Sequence, residues 1–405
     1  MCLLRVLKVV RVFQMPTPAH KTSETTVKLF HETARGRIFL GDSLGMFREE
    51  IEPAAVDLIM TSPPFGLVRK KDYGNADADD YLEWFRPFAA AFHKALKPQG
   101  SLVIDIGGSW VSGQPTRSLY HYELLIMLCK EFGFHLAQEF FWWNPARLPT
   151  PAEWVTVRRI RVKDAVNCIW WLSPTPWPKA SNRRVLQPYS DSMKVLLAKG
   201  YKPMLRPSGH DISDCFGTDN GAAIPPNLIS LAHTESNSAY IRYCREHGLV
   251  PHPARFPREI PEFFIRMLTE AGDLVVDPFC GSCATGEAAE RTRREWICCD
   301  LVEDYLKGAL GRFQRGKVER YSVAKSEKPN GEDSYRAVKP GLLWNGVEDD
   351  EPLAADGGAK RAVSTKRPKA EKSISYQPKQ ASPQMALLDK PQPAKRKASS
   401  GKRHG

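Results

Sequence analysis

Two stretches of the chain carry residue types suited to chemistry at an amine on a flat ring. Asp57 to Phe65 reads DLIMTSPPF, a short apolar run that ends at once in Ser62-Pro63-Pro64-Phe65. Consecutive prolines fix the backbone and remove two N–H donors, so the Ser62 hydroxyl and the Pro63 carbonyl become rigid acceptors beside the Phe65 ring. Such a cluster suits an exocyclic amine. Two accepted hydrogen bonds draw electron density towards the nitrogen while the aromatic side chain stacks on the ring. A proline turn after a strand is common by itself, but this one falls at the carboxyl end of an expected central strand, where ligands bind in open α/β sheets.

The second stretch, DLVVDPFCGSCATGEAAE at 273–290, reads as a strand, then Asp277-Pro278-Phe279, then a loop of small residues (Gly281, Ser282, Ala284) opening a helix. Small residues let a ligand approach the backbone, and a helix N-terminus offers N–H groups to a negative group. Twenty-three residues after Asp277 the next strand ends in Asp300, an acid placed to accept the hydroxyls of a ribose. The loop is neither GxGxxG nor a P-loop, and a plain strand-to-helix turn would read similarly. Cys280 and Cys283 form a CxxC, and Cys298-Cys299 follow. The second pair is adjacent, which leaves no room for two tetrahedral ligands at the usual spacing, and no metal site is expected.

The elements that must position these residues alternate. Strands are expected at 36–42, 56–61, 101–108, 134–143, 273–277 and 296–300, with helices at 79–96, 119–129, 259–269, 284–293 and 301–313. Alternating strand and helix implies a doubly wound, mostly parallel Rossmann-like sheet with helices on both faces. Between 142 and 250 the pattern fades into Pro-rich, basic, Trp-rich sequence, read as an inserted recognition region. The expected organisation is an extension at 1–30, a catalytic half at 31–141, the recognition region at 142–250, a cofactor-binding half at 251–324 and a disordered basic tail at 325–405.

The chain has 405 residues and a formal charge of +12. From Gly358 onward there are 13 Lys/Arg against two acids, or +11, so everything before that stretch carries 12 − 11 = +1. Within it, Trp142 to Arg206 holds 12 Lys/Arg against three acids, a local +9. That is the charge expected of a face for double-stranded DNA, with Arg158, Arg159, Arg161 and Lys163 as contacts to phosphates or base edges. His210 in RPSGHD is a further candidate for DNA contact. A solvated surface explains single arginines as well, and core packing explains the tryptophans of this region better than base stacking does. No run of 18 uncharged apolar residues exists, the apolar start is broken by Arg5, Lys8 and Arg11, and nine cysteines show no disulfide spacing. A cytoplasmic, nucleoid-associated protein without a membrane segment is expected.

TSPPF, DPFCGSCATGEAAE and HPARFPREIPEFFIRML together resemble the amino-methylating DNA methyltransferases of the permuted (β-class) order, in which the catalytic motif precedes the cofactor motif. Within that family the N4-cytosine modification enzymes are the nearest type, and the resemblance runs from about Arg37 to Phe313. It implies S-adenosylmethionine as cofactor, cradled by Asp277, Phe279, Gly281, Ser282 and Thr285, with Asp300 at its ribose, Phe256 and Pro257 at its methionine end, and Asp42 as a further contact. It implies that Ser62, Pro63, Pro64 and Phe65 hold a flipped cytosine in a short palindromic site, CAGCTG by the same likeness, in a restriction–modification setting. A monomer is expected, because each strand of a palindrome can be methylated in a separate visit, with an endonuclease sharing the site but not bound. Adenine N6 methylation, or a sequence-specific DNA-binding protein with impaired catalysis, stay open as alternatives. No Pro-Cys dipeptide occurs, which argues against C5 chemistry through a thiolate adduct. Three positions depart from the family: Cys283 and Ala284 replace the second glycine and first threonine of DPFxGSGTT, and Asp300 replaces a usual glutamate. Cofactor binding is expected to survive Cys283 if its φ is negative.

Overall fold

A computed structural model describes residues 27–66, 80–200, 217–233 and 238–314; His210 and the basic tail lie outside them. Among the described residues nine strands form one sheet: β1 (Lys28–Glu32), β2 (Gly36–Leu40), β3 (Val56–Thr61), β4 (Leu96–Ile106), β5 (His135–Trp143), β6 (Val166–Ser173), β7 (Leu228–Ser230), β8 (Leu274–Asp277) and β9 (Glu295–Asp300). Their spatial order is β1-β2-β9-β8-β3-β4-β6-β5-β7. The run β2-β9-β8-β3-β4 is parallel throughout, and β6 is inserted antiparallel between β4 and β5. Chain order reverses between β8 and β3, since β8 leads outward to β9 and β3 leads the other way to β4. Two strands far apart in sequence thus lie side by side at the switch point.

Period-two alternation sends successive side chains of each strand to opposite layers. From β3, Leu58 and Met60 join one cluster with Val103, Trp171, Val275 and Cys298. Its neighbour Ile59 joins the other with Leu102, Ile104, Val276 and Ile297. The first layer is closed by α6 (Glu259–Leu268), α7 (Ala284–Arg291) and α8 (Glu303–Ala309). The second is closed by α1 (Ser43–Glu49), α2 (Tyr81–Ala95) and α3 (Tyr120–Lys130), through rings such as Phe47, Phe85, Phe92 and Tyr120. Burial on both faces is why VDLIMT reads as a continuous apolar run and not an alternating one. At the amino end of the parallel strands, Asp57 ties three of them: its Oδ2 accepts from Lys97 Nζ at 2.7 Å and from the Leu274 backbone N–H at 3.0 Å.

The region from 142 to 250 corrects the sequence reading in part. It is not all insertion, because VNCIWWLS forms β6 at the centre of the sheet's second half and LIS forms the edge strand β7. An eight-residue apolar strand is easily lost inside a window averaged over prolines and arginines. Two short helices, α4 (Asp191–Lys199) and α5 (Ala239–Glu246), also lie there, each capped by a serine that accepts a backbone N–H, Ser190 from Met193 and Ser238 from Ile241. The helix expected at 79–96 ends at Ala95, and Leu96 to Gly100 belong to β4.

Candidate active site at the switch point

The two motifs meet. Thr61, the last residue of β3, donates its hydroxyl to Asp277 Oδ1 at 2.8 Å, joining the end of β3 to the end of β8. Asp277 also accepts from Thr285 Oγ1 at 2.6 Å and from the Phe279 backbone N–H at 3.1 Å. It is 1 % exposed, and burial pushes its carboxyl up to about 7 against those hydrogen bonds. All three partners are internal, so Asp277 holds the shape of the loop and presents little of itself to a ligand.

The loop past it turns through Gly281 at φ +48° and Cys283 at φ +56°. The latter reverses the condition attached to Cys283: its φ is positive, in the left-handed region where a β-carbon costs about 1–2 kcal/mol. At Gly281 a β-carbon would sit 3.1 Å from the His252 ring, so the HPARFP segment approaches the glycine through His252. Asp300 ends β9 with Oδ2 accepting the Gly281 N–H at 2.8 Å and Oδ1 the Val302 N–H at 2.9 Å. A carboxylate has about four acceptor positions, so capacity for a hydroxyl remains. Phe279 packs edge-on against Phe88 with centroids 5.0 Å apart. Asp42 caps α1, accepting the Leu44 N–H at 3.1 Å, and Ser282 is held through its carbonyl by Arg312 at 2.7 Å. A small-residue loop, an aromatic wall and a carboxylate on the adjacent strand end are the donor and acceptor set that a nucleoside with a charged amino-acid arm requires.

On the other side of the switch point, Ser62 donates to Asp105 Oδ2 at 3.2 Å, and Asn167 Nδ2 donates to Asp105 Oδ1 at 3.2 Å. Asp105 lies on β4, 2 % exposed, and burial raises its carboxyl to about 6 despite both hydrogen bonds and the Arg147 charge. Sequence reading passed over this pair. The signal was present, since an acid inside the apolar strand SLVIDIGG must have a partner or a task. Phe65 lies against Gly107, where a β-carbon would come within 2.6 Å of its Cε2. The Gly107 carbonyl accepts the Tyr120 hydroxyl, which fixes the floor under the turn. Pro63 is buried and Pro64 half-buried beside it.

The basic candidates are exposed on the 144–165 segment. Arg158 pairs with Glu153 at 2.7 Å and lies over the Trp154 ring at 5.2 Å. Arg161 donates to the Pro115 carbonyl at 3.0 Å, and Lys163 to the Arg147 carbonyl at 3.0 Å. Arg159, at φ +54°, has no hydrogen-bond or ion-pair partner among the described residues. Asp164 fastens this segment to the 109–118 loop, accepting Trp110 Nε1 at 2.7 Å and pairing with Arg117. A separate cavity of about 350 Å³, lined by Thr33, Arg35, Glu50 and Glu295, opens at the amino ends of the strands, away from these groups.

Among the described residues no helix is long and apolar enough to cross a membrane. The reversed strand, the switch point and the loop fastened there to the Ser-Pro-Pro-Phe turn mark the class: a Rossmann-like methyltransferase dependent on S-adenosylmethionine. Residues 56–310 match the DNA methylase (N6_N4_Mtase) family model, and the chain belongs to that family. Type II methyltransferase M.PvuII of Proteus hauseri is 50 % identical over 296 residues, 72 % of this chain and 88 % of that protein. Type II methyltransferase M.BamHI of Bacillus amyloliquefaciens is 24 % identical over 336 residues, 76 % of this chain and 69 % of that one. The solved structure of the PvuII DNA methyltransferase (cytosine-N4-specific) aligns with a TM-score of 0.58 at 43 % identity, covering 71 % of this chain and 89 % of that one.

Proposed function

We propose that this DNA methyltransferase modifies the exocyclic N4 amine of a cytosine flipped out of a short palindromic duplex, CAGCTG by its likeness to the PvuII enzyme. The observation that carries the reading is the 2.8 Å hydrogen bond from Thr61 to Asp277, which sets the Ser-Pro-Pro-Phe turn against the cofactor loop. Bound S-adenosylmethionine supplies an electrophilic methyl group. Asp300 would accept its ribose hydroxyls, the loop of Phe279, Gly281, Ser282 and Thr285 would hold it, Phe256 and Pro257 would take its amino-acid end, and Asp42 would be a further contact.

The amine nitrogen is a weak nucleophile because its lone pair is delocalised into the ring. Ser62 Oγ and the Pro63 carbonyl accept hydrogen bonds from its two N–H groups, Phe65 stacks the base, and the base must leave the helix to reach them. Asp105 acts through Ser62. Its carboxylate, also held by Asn167, accepts the Ser62 hydroxyl proton as Ser62 accepts from the amine, so the positive charge formed on nitrogen has a path outwards. The serine form of the turn favours cytosine N4 over adenine N6. Duplex binding falls to the 144–165 segment, where Arg158, Arg159, Arg161 and Lys163 stand exposed. We further propose a monomeric cytoplasmic enzyme that shares its site with an endonuclease.

The test is Ser62→Ala. Turnover should drop at least about a hundredfold, the usual scale for a group that moves a proton in the transition state, while the duplex is bound as before. Equal loss of turnover and binding would remove Ser62 from catalysis.

A further inference from the structure

Beneath the cofactor loop lies a cluster that methyl transfer does not use. Cys280 and Cys283 come from the turn before α7 and Cys298 from the middle of β9, and their three sulfurs lie within 4.8 Å of one another. They are 6 %, 0 % and 1 % exposed. The neighbouring cysteine does not compete: strand alternation turns Cys299 to the opposite layer, where its Sγ lies 3.3 Å from the Gly41 carbonyl oxygen. The adjacency that argued against a metal in the sequence therefore removes one thiol and leaves three.

Thiolates hold zinc at about 2.3 Å. A cation at the centre of a triangle of sulfurs at that distance puts the sulfurs about 4 Å apart, within the spacing found. Two features of the backbone serve the triangle. Gly286 on α7 leaves space that a side chain would fill, since a β-carbon there would stand 2.6 Å from Cys283 Sγ and 3.1 Å from Cys298 Sγ. Cys283 sits at φ +56°, where glycine would be at ease, and its side chain completes the set. The Cys283 N–H closes the turn on the Cys280 carbonyl at 2.7 Å, aiming both thiols of the CxxC to one side. Three thiolates with a divalent cation sum to −1, and the Ser282 carbonyl between the two loop ligands is held by Arg312, itself ion-paired with Glu287 at 2.6 Å.

We propose that Cys280, Cys283 and Cys298 form a structural site for one soft d10 cation of the Zn²⁺, Cd²⁺ or Cu⁺ kind, which fastens the cofactor loop to β9. Sulfur-rich ligand sets select such ions over hard ones. Binding releases three thiol protons to solvent, forms three metal–sulfur bonds and moves no electron. It stands independently of the base methylated.

The probe is Cd²⁺ added to the full chain in a non-thiol reductant, with excess removed by gel filtration. We expect one Cd²⁺ per chain by elemental mass spectrometry, with thiolate-to-metal charge-transfer absorption in the ultraviolet. Cys283→Gly should fold, because its φ suits glycine, as checked by circular dichroism, yet bind Cd²⁺ at least a hundredfold more weakly. Cys298→Ala should show the same loss. Failure to retain stoichiometric Cd²⁺, or retention undiminished in both variants, would overturn the site.

Discussion

A carboxylate inside an apolar strand must be given partners or left neutral, and Asp105 is where this sheet accepts that cost. Each of its oxygens accepts one hydrogen bond, from Ser62 and from Asn167, and burial lifts it to about 6. It is ionised at pH 8 and protonated by pH 5, so turnover should fall as pH drops through about 6. Asp105→Asn keeps the shape and removes the charge. We expect kcat about a hundredfold lower, the acid limb lost and S-adenosylmethionine affinity unchanged; a retained acid limb would assign it to another group. The same shift makes a stability statement of known sign. Burial lifts Asp105 to about 6 and Asp277 to about 7 in the folded state, above the ordinary aspartate value of about 3.9. Between about 4 and 7 the folded state binds more protons than the unfolded one, and stability declines as pH rises across that window. Urea unfolding at pH 5 and pH 8 should show it, and the difference should shrink in Asp277→Asn. Asp277 and Ser62 were legible in sequence because their motifs are contiguous; Asp105, Asn167 and Thr61 were not, because their parts depend on which strands become neighbours.

Elements were readable in proportion to how far their burial was uniform. VDLIMT is β3 to the residue, and the helices α2, α3, α6 and α7 lie within two residues of their expected limits. What the sequence hid was β6, a buried strand in a basic neighbourhood, and with it the antiparallel insertion that carries Asn167 to Asp105. The segment just before β6 is built differently. It has few buried apolar residues and is held by polar contacts, chiefly Asp164 to Trp110 and Arg117. Asp164→Ala should free it. Duplex affinity should fall about tenfold in a gel-shift titration, a loss on the scale of one charge-assisted contact, with cofactor affinity unmoved. No change would mean that the segment does not meet DNA, or is ordered without Asp164.

At the scale of the molecule the charge of +12 divides unevenly. The stretch from Gly358 carries +11 and the stretch from Trp142 to Arg206 carries +9, which leaves the remainder net acidic. On the proposed reading, sequence discrimination falls to the basic segment before β6, and the tail would add contact with phosphates that every sequence presents. Removing residues 326–405 should leave the modified site unchanged and flatten the slope of log affinity against log salt. The central claim is that a serine turn and a methyl-donor loop, brought together at one switch point, act on a cytosine amine. Its most direct measurement is nucleoside mass spectrometry, with base-resolved sequencing, on DNA from cells expressing the full chain. We expect N4-methylcytosine confined to one short palindrome, absent when Ser62 is alanine. N6-methyladenine in place of N4-methylcytosine, or no methylated base at all, would contradict it.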